Sequence, residues 1–301
     1  MNTRNNVAPL LVAMPTHHQD KMNKIPIGSL KTSSKPFLKW AGGKAKLAPF
    51  IQSHLPAHSC HRLIEPFAGS AALSLALEYD AYLLNDNNAD LINLYQSLKC
   101  HQQEFIDYAR SFFIAPNNQD TQFYALRDQF NASQNAEERA ALFIYLNRHA
   151  FNGLCRYNSK GGFNVPFGKY QSPYFPEREM QAFIQKSNRI TLMCGDFQAA
   201  LNLATSDDAV YCDPPYAPLS ETASFTAYSQ NGFNANDQQR LAQAAQLVAQ
   251  QAQSVLISNH DTPFTRSLYR HAKIQTVEVQ RNIAANGEHR KKVGELLAIY
   301  E

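Results

Sequence analysis

The tetrapeptide Asp213-Pro214-Pro215-Tyr216 combines residue types that suit chemistry on a planar amine. Asp213 offers acceptor oxygens, the two prolines fix φ and expose a carbonyl with no competing N–H, and Tyr216 offers an aromatic face. Together they fit a planar base whose exocyclic NH₂ donates to the Asp213 carboxylate and to the Pro214 carbonyl while its ring stacks on Tyr216. Both acceptors would aim the amine lone pair at an electrophile. Taken alone, so short a string also fits an ordinary turn.

A second set of polar residues follows an apolar segment at Arg62–Glu65. There the chain turns from a strand into a helix through Gly69, which lets backbone N–H groups and a helix N-terminus approach a ligand. Glu65 can hold an ammonium group. Asp86, at the end of the next apolar segment, can accept hydrogen bonds from ribose hydroxyls. The pair suits an adenosine that carries a positive amino-acid tail, and the alternative is a tight turn with a solvated carboxylate.

A third motif, Phe37–Lys44, precedes the first predicted strand and contains two adjacent glycines. Trp40 can lie on an adenine or a sulfonium, and Lys44 is well placed for a carboxylate. Asp196, shortly after another predicted strand, is a further pocket candidate. The dinucleotide pattern G-x-G-x-x-G and the Walker spacing are both absent, which disfavours a nicotinamide or flavin site and an NTPase.

The elements that must position these residues alternate between apolar strands and helices, which predicts an α/β fold. The predicted strands are Arg62–Glu65, Ala81–Leu84, Ile190–Cys194, Val210–Cys212, Val255–Ser258, Ile274–Val279 and Leu296–Tyr300. Helices are predicted over Ser70–Leu77, from Asn88 to about Arg148, and over Asp237–Gln253. We expect a mostly parallel sheet that ends in an antiparallel C-terminal pair, with Asn259, His260 and Asp261 in a loop after their strand.

The composition shifts along the chain predict its organisation. Residues 1–35 are rich in Asn, Ser, Thr, Pro and Lys without periodicity, which is typical of a disordered basic tail. Residues 36–87 and 189–301 carry the α/β pattern and form one domain. Residues 88–188 form a mainly helical insertion that ends in a loop rich in Gly, Asn, Pro and aromatic residues.

Basic residues are clustered although the formal net charge is only +3. No acidic residue lies between Asp20 and Glu65 or between Glu138 and Glu177, and the second stretch interleaves basic with aromatic side chains. Arg290–Lys292 forms a third cluster. Each cluster alone fits a solvated face, but together they favour a nucleic-acid surface.

Several function classes are disfavoured by composition. The five cysteines are scattered without a C-x-x-C pair, which argues against a disulfide framework and a zinc site, so no metal is expected. No apolar run approaches the roughly 20 residues that a membrane span needs. We therefore expect a cytoplasmic protein of ordinary globular composition, without membrane contact and monomeric.

Seven sequence strings occur in the order typical of one enzyme family, and over about residues 36–300 the chain closely resembles the Dam-type DNA adenine N6 methyltransferases. The strings are FLKWAGGK, EPFAGS, NDNNADL, LNRHAFNGLCRYN, FNVPFGKY, YCDPPYAPLS and the C-terminal R-x-K-x-x-E-L-L-A-x-Y, which begins at Arg290. The resemblance implies a Rossmann-like methyltransferase sheet with an inserted helical DNA-recognition domain. It also implies methyl transfer from S-adenosylmethionine to adenine within GATC sites of double-stranded DNA, with roles in mismatch repair and replication timing.

The resemblance also implies roles for individual residues. The cofactor-site residues it implies are Trp40, Lys44, Glu65, Phe67, Gly69, Asp86 and Asp213, to which the position after a strand adds Asp196. Asp213, Pro214, Pro215 and Tyr216 match the catalytic tetrapeptide. The DNA-facing set is Lys39, Phe151, Asn152, Leu154, Arg156 and Pro166, with Arg290 from the third basic cluster.

Phe151 departs from the family pattern, in which the resemblance implies Tyr at that position. A ring remains available to enter the base stack, but any polar contact of the hydroxyl is lost. Two alternatives stay open: a methyltransferase acting on an RNA adenine or a cytosine amine, and a catalytically inactive DNA-binding regulator.

Overall fold

The seven strands of the computed structural model, which describes residues 35–56, 60–219, 232–279 and 293–301, form one mixed sheet. They are β1 (Arg62–Glu65), β2 (Ala81–Asp86), β3 (Ile190–Cys194), β4 (Asp208–Cys212), β5 (Ser254–His260), β6 (Lys273–Val279) and β7 (Val293–Tyr300). Their order is β3-β2-β1-β4-β5-β7-β6, and β7 pairs antiparallel with both β5 and β6 while the other pairs are parallel. The predicted α/β sheet, mostly parallel with an antiparallel C-terminal strand, is confirmed.

The strand order reverses between β1 and β4, which lie side by side although they are far apart in the sequence. In open α/β sheets this reversal opens a crevice at the carboxyl ends of the strands, where ligands bind. β1 ends at Glu65, β2 ends at Asp86, and Asp213 follows directly on β4. Three of the predicted site carboxylates therefore reach the same edge of the sheet.

Both faces of the sheet are covered, as the continuous apolar strands require. Successive residues of a strand alternate between two cores: Leu63 and Tyr211 pack on one side, and Ile64 and Val210 on the other. The helices that cover the sheet and form the insertion are α1 (Ala48–Gln52), α2 (Ala72–Ala76), α3 (Ala89–Arg110), α4 (Asp120–Ala132), α5 (Ala136–His149), α6 (Glu177–Ser187), α7 (Phe197–Leu201), α8 (Ala235–Val248) and α9 (Pro263–Leu268). Three short 3₁₀ turns lie at Lys44–Lys46, Ala115–Asn117 and Phe151–Gly153.

Helices α3 to α6 are inserted between β2 and β3 and share a core with one face of the sheet. The predicted helical run from Asn88 to Arg148 is divided into three helices, because an Ala-Pro-Asn turn follows α3 and Ser133–Asn135 separates α4 from α5. Within α3, Gln102 adopts a left-handed φ of +45° and breaks the helix. The boundaries proposed for a separate recognition domain over 88–188 stay a prediction.

One prediction from the sequence is wrong, and two others concern residues that lie outside the described ranges. Asn259 and His260 belong to β5 and are buried, rather than lying in a loop after it, because β7 pairs with them and extends the strand. The tail predicted over 1–35 lies, except for Lys35, outside the described residues, as does Arg290.

Two further findings concern the described part of the chain only. No helix there is long and apolar enough to cross a membrane. Nor do those residues bring three or more His, Cys, Asp or Glu side chains together in a group that could hold a metal ion.

Candidate active site

Asp213 and Lys44 form a buried charge pair at the end of β4. Lys44 Nζ lies 2.8 Å from Asp213 Oδ1, donates to the carbonyl of Gly42 at 2.7 Å, and lies 4.7 Å from the centre of the Tyr216 ring. Asp213 Oδ1 is closed to solvent and receives no well-aligned hydrogen bond from the described residues. Burial raises the pKa of Asp213 to about 6, and the Lys44 charge opposes that rise. At neutral pH the site therefore holds an anionic oxygen that is paired with the Lys44 ammonium.

The tetrapeptide Asp213–Tyr216 is supported by side-chain amides on the side away from the crevice. Gln238 Nε2 donates to the carbonyl of Pro215 at 2.7 Å, and Asn259 Oδ1 accepts from the Ala217 N–H at 2.9 Å. The two amides also join each other, with Asn259 Nδ2 donating to Gln238 Oε1 at 3.0 Å. The Pro214 carbonyl receives no hydrogen bond from any described residue, so it remains an available acceptor.

Tyr216 is fixed at both its hydroxyl and its ring. The hydroxyl donates to Glu295 Oε2 at 3.0 Å, and the ring meets the His260 ring edge to face at 4.8 Å. Burial, reinforced by the charge of Asp213, raises the pKa of Tyr216, so the hydroxyl stays a donor. In the sequence, Glu295 is recognisable only as the acidic residue of the C-terminal pattern. Its partner became visible only because β7 enters the sheet beside β5.

Glu65 is buried at the end of β1 with one oxygen bound. Ser74 in α2 donates to Glu65 Oε1 through its backbone N–H at 2.9 Å and through its hydroxyl. Burial raises the pKa of Glu65 to about 7, the Ser74 bonds oppose this, and the charge of Asp213 adds to it. Both bonds end on Oε1, so Oε2 is left to receive a cation.

Asp86, Gly69 and Trp40 form a second wall of the crevice. Asp86 accepts from the backbone N–H of Gly69 at 3.0 Å and from that of Asn88 at 2.9 Å. Gly69 has φ +46°, and a Cβ at that position would lie 2.8 Å from Trp40 Nε1. Trp40 therefore packs against bare backbone, and Tyr95 fixes the same turn by donating to the Gly69 carbonyl at 2.6 Å.

Phe67 and Asp196, the other two predicted cofactor residues, have protein partners of their own. Phe67 stacks on Phe197 with ring centres 5.3 Å apart. Asp196 is exposed, caps α7, and receives Arg240 Nη2 on both carboxylate oxygens at 2.6 and 2.7 Å. The segment lies beside Asp86, since the Gly195 N–H donates to the Asp86 carbonyl at 3.1 Å. A cofactor role for either residue stays a prediction.

Most of the predicted DNA-facing residues lie in residues 150–167, called here the hairpin, in which isolated β-bridges join Ala150 to Phe167 and Tyr157 to Phe163. Phe151 is 50% exposed on the 3₁₀ turn, and its N–H donates to the Pro166 carbonyl at 2.8 Å. Arg156 is exposed and donates through Nε to Asn164 Oδ1 at 2.8 Å, which orients its guanidinium across the hairpin.

The remaining members of this set differ in exposure. Asn152 is exposed with φ +54°, Pro166 is also exposed, and Leu154 is half-buried. Lys39 Nζ lies 4.0 Å from the centre of the Tyr170 ring. The structure thus brings this set to one hairpin and the adjoining Lys39, apart from Arg290, which lies outside the described ranges.

Comparisons with known proteins identify the family of the chain. The family model of the D12 class N6 adenine-specific DNA methyltransferases matches residues 40–283. The DNA adenine methylase of Serratia marcescens is 51% identical over 268 residues, which cover 89% of this chain and 98% of the relative. Those of Vibrio cholerae and Escherichia coli K12 are 49% and 48% identical, each covering 88–89% of this chain and 96% of the relative. The resemblance found in the sequence is confirmed, and the chain belongs to the D12 class N6 adenine-specific DNA methyltransferases.

Proposed function

We propose that this DNA adenine methyltransferase moves a methyl group from S-adenosylmethionine to N6 of an adenine flipped out of double-stranded DNA, at GATC sites. The observation that carries the proposal is the pair of acceptor oxygens at the end of β4, beside the fixed Tyr216 ring. The Pro214 carbonyl receives no hydrogen bond from the described residues, and Asp213 Oδ1 is paired with the ammonium of Lys44. An exocyclic NH₂ supplies the two donors that such a pair requires.

The crevice fits the proposed cofactor. Glu65 Oε2 would hold the ammonium, Asp86 the ribose hydroxyls, and the bare Gly69 turn with Trp40 the adjoining part of the molecule. Lys44 would hold the carboxylate, with Phe67 and Asp196 at the margin. When bound, S-adenosylmethionine supplies an electrophilic methyl group.

The protein's contribution to the reaction is alignment more than base strength. Asp213 and the Pro214 carbonyl would hold the two amine hydrogens, and Tyr216 would stack on the base and exclude water. Lys44 must release Asp213 for this, because its ammonium lies against the same oxygen. With a pKa of about 6, Asp213 can accept the amine proton after transfer and pass it to solvent.

Extrusion of the adenine costs a few kcal/mol, which contacts with DNA must offset. The exposed Phe151 ring would fill the vacated space, and Arg156 would read the O6 and N7 acceptors of a guanine. The same DNA-binding surface would include Lys39, Asn152, Leu154, Pro166 and Arg290. As the sequence resemblance implies, marking of GATC sites would serve mismatch repair and control of replication, in the cytoplasm.

A labelling assay with Asp213→Ala tests the proposal. Wild-type protein with radiolabelled S-adenosylmethionine should label N6 of adenine in a GATC duplex and not in duplexes with one base changed. Asp213→Ala should abolish labelling while duplex affinity stays within about twofold, because the carboxylate contacts only the extruded base.

The outcomes separate the alternatives. Label on cytosine or preferential labelling of RNA would identify another amine acceptor, and duplex binding without any label would identify an inactive regulator. Near-wild-type turnover of Asp213→Ala would refute the assigned chemistry.

A further inference from the structure

Asn147, in the last turn of α5, is buried and has no role in the site described above. Its side-chain Nδ2 donates to the carbonyl of Lys39 at 2.7 Å and to that of Gly153 at 3.2 Å, while Oδ1 accepts from the Lys39 N–H at 2.9 Å. The side-chain amide therefore binds both the N–H and the carbonyl of Lys39, and it also binds a carbonyl of the 3₁₀ turn. One side chain joins two segments that are far apart in the sequence.

The two joined segments are in direct contact. Gly153 has φ +64°, and a Cβ built there would lie 2.5 Å from Lys39 Cβ and 2.4 Å from Lys39 Cδ. The stem of Lys39 therefore packs on the bare backbone of Gly153, and its ammonium end lies 4.0 Å from the centre of the Tyr170 ring. Only a glycine at position 153 leaves room for the Lys39 side chain to pass over the turn. The positions of the Lys39 ammonium and of the turn that carries Phe151 are therefore fixed relative to each other.

We propose that Asn147 is a positioning residue that holds Lys39 and the turn Phe151–Gly153 as one DNA-reading unit and so sets base discrimination. The inference rests on the proposed DNA-facing roles of Lys39 and Phe151. Base readout depends on hydrogen bonds whose donors are held within about 0.5 Å by supporting residues. Without the hydrogen bonds of Asn147, Lys39 and the turn can shift relative to each other. The tetrapeptide Asp213–Tyr216 keeps its own hydrogen bonds to Gln238 in α8 and Asn259 in β5.

The variant Asn147→Asp tests this because it keeps the shape and replaces the donor that faces two carbonyls with an acceptor. The quantity to measure is the ratio of kcat/KM between the preferred duplex of the wild type and its best single-base variant. We expect this ratio to fall about tenfold, the equivalent of weakening one good base contact. A purely structural loss would reduce the active fraction, lower kcat/KM equally for all duplexes, and leave the ratio unchanged.

Asn131→Asp is the matched control. Asn131 clamps the Phe163 backbone through the same two bonds, Nδ2 to the carbonyl at 3.1 Å and Oδ1 from the N–H at 2.8 Å, near the far end of the hairpin. Its ratio should stay within about twofold of wild type. Gly153→Ala, whose Cβ would displace Lys39, is a second variant and should lower the ratio even if Asn147→Asp does not fold.

The possible results separate the two proposals. An unchanged ratio in folded Asn147→Asp, an unchanged ratio in Gly153→Ala, or an equal fall in Asn131→Asp would overturn the positioning role. A wild-type preference for a sequence other than GATC would contradict the proposed site alone, because the ratio is defined on whichever duplex the wild type prefers. A wild type without any preference would overturn both.

Discussion

At the scale of single residues, the site contains buried carboxylates whose ionised form is disfavoured by burial. The pKa values of Asp213 and Glu65 rise to about 6 and about 7, mainly because both groups are buried. Each then has a cationic counterpart: Lys44 already lies against Asp213, and the ammonium of the proposed cofactor would approach Glu65. A buried negative charge is stabilised when a positive charge binds beside it, so these residues favour positively charged ligands.

Glu65→Gln tests the burial of this carboxyl through the pH dependence of folding. Burial raises the pKa of Glu65 from 4.5 to about 7, so the folded state binds more protons than the unfolded state between these values. The free energy of unfolding of the wild type should therefore fall relative to Glu65→Gln as pH rises from about 4.5 to 7, by up to about 3 kcal/mol. Below pH 4.5 the difference should be constant.

Urea unfolding of both proteins at several pH values measures this difference, and Glu78→Gln provides the control. Burial raises the pKa of Glu78, but its bonds to Lys186 and Arg189 outweigh burial and lower it. Its contribution to stability should therefore be lost as pH falls, which is the opposite sign. A pH-independent difference for Glu65→Gln would contradict the raised pKa.

Residue types and their positions after apolar strands predicted three carboxylates at one edge of the sheet, but not how the side chains there pair. Asp213, Glu65 and Asp86 were identified because each follows an apolar strand, a relation that is local in the sequence. Lys44 was expected to hold a carboxylate of the cofactor, whereas here it lies against Asp213. The supports of the tetrapeptide, Gln238 and Asn259, could not be found in this way, because an amide's partner depends on which elements meet in space.

At the scale of elements, strand positions were predictable and strand neighbours were not. Continuous apolar runs located all seven strands, and the errors at their ends were a few residues, as at β2 and β5. The insertion of β7 between β5 and β6 was not predicted, because pairing across a sheet depends on register between distant segments. That insertion brings Glu295 to Tyr216, so a topological detail completes the site.

The turn between β1 and α2 yields a prediction for Gly69→Ala. The new Cβ would lie 2.8 Å from Trp40 Nε1 at a φ of +46°, so Trp40 must move away from the crevice. We expect the KM for S-adenosylmethionine to rise about tenfold or more, and stability to fall by about 1 to 2 kcal/mol from backbone strain and repacking. Steady-state kinetics and thermal unfolding measure the two effects.

Gly161→Ala is the matched control, because Gly161 also has a left-handed φ, +80°, and no heavy atom lies within 4 Å of its Cβ position. It should show the stability loss without the change in KM. If Gly161→Ala raised the KM as much as Gly69→Ala, the displacement of Trp40 would not be the cause.

At the scale of the whole molecule, the sheet, the insertion and the hairpin are parts of one packed unit. Residues 34–301 form a compact unit of their own, and the family model begins at residue 40. One core runs from the sheet residues Leu63 and Tyr211 into α3, α4 and α5. The hairpin that would read DNA is therefore supported by the same core as the crevice.

A chain without residues 1–34 is expected to fold and to methylate DNA with kcat within about twofold of the full chain, because the described residues of the site all lie after that segment, within the compact unit that begins at residue 34. The segment carries four cations, Arg4, Lys21, Lys24 and Lys31. Each phosphate neutralised adds about 0.9 to the slope of log affinity against log salt concentration, so the truncated chain should lose up to about 4 from that slope.

Duplex binding of both chains between 50 and 300 mM salt measures this slope. Cofactor affinity is the control, since the buried crevice should respond little to salt. Equal slopes would show that these cations do not contact DNA, and loss of turnover would show that the site requires them.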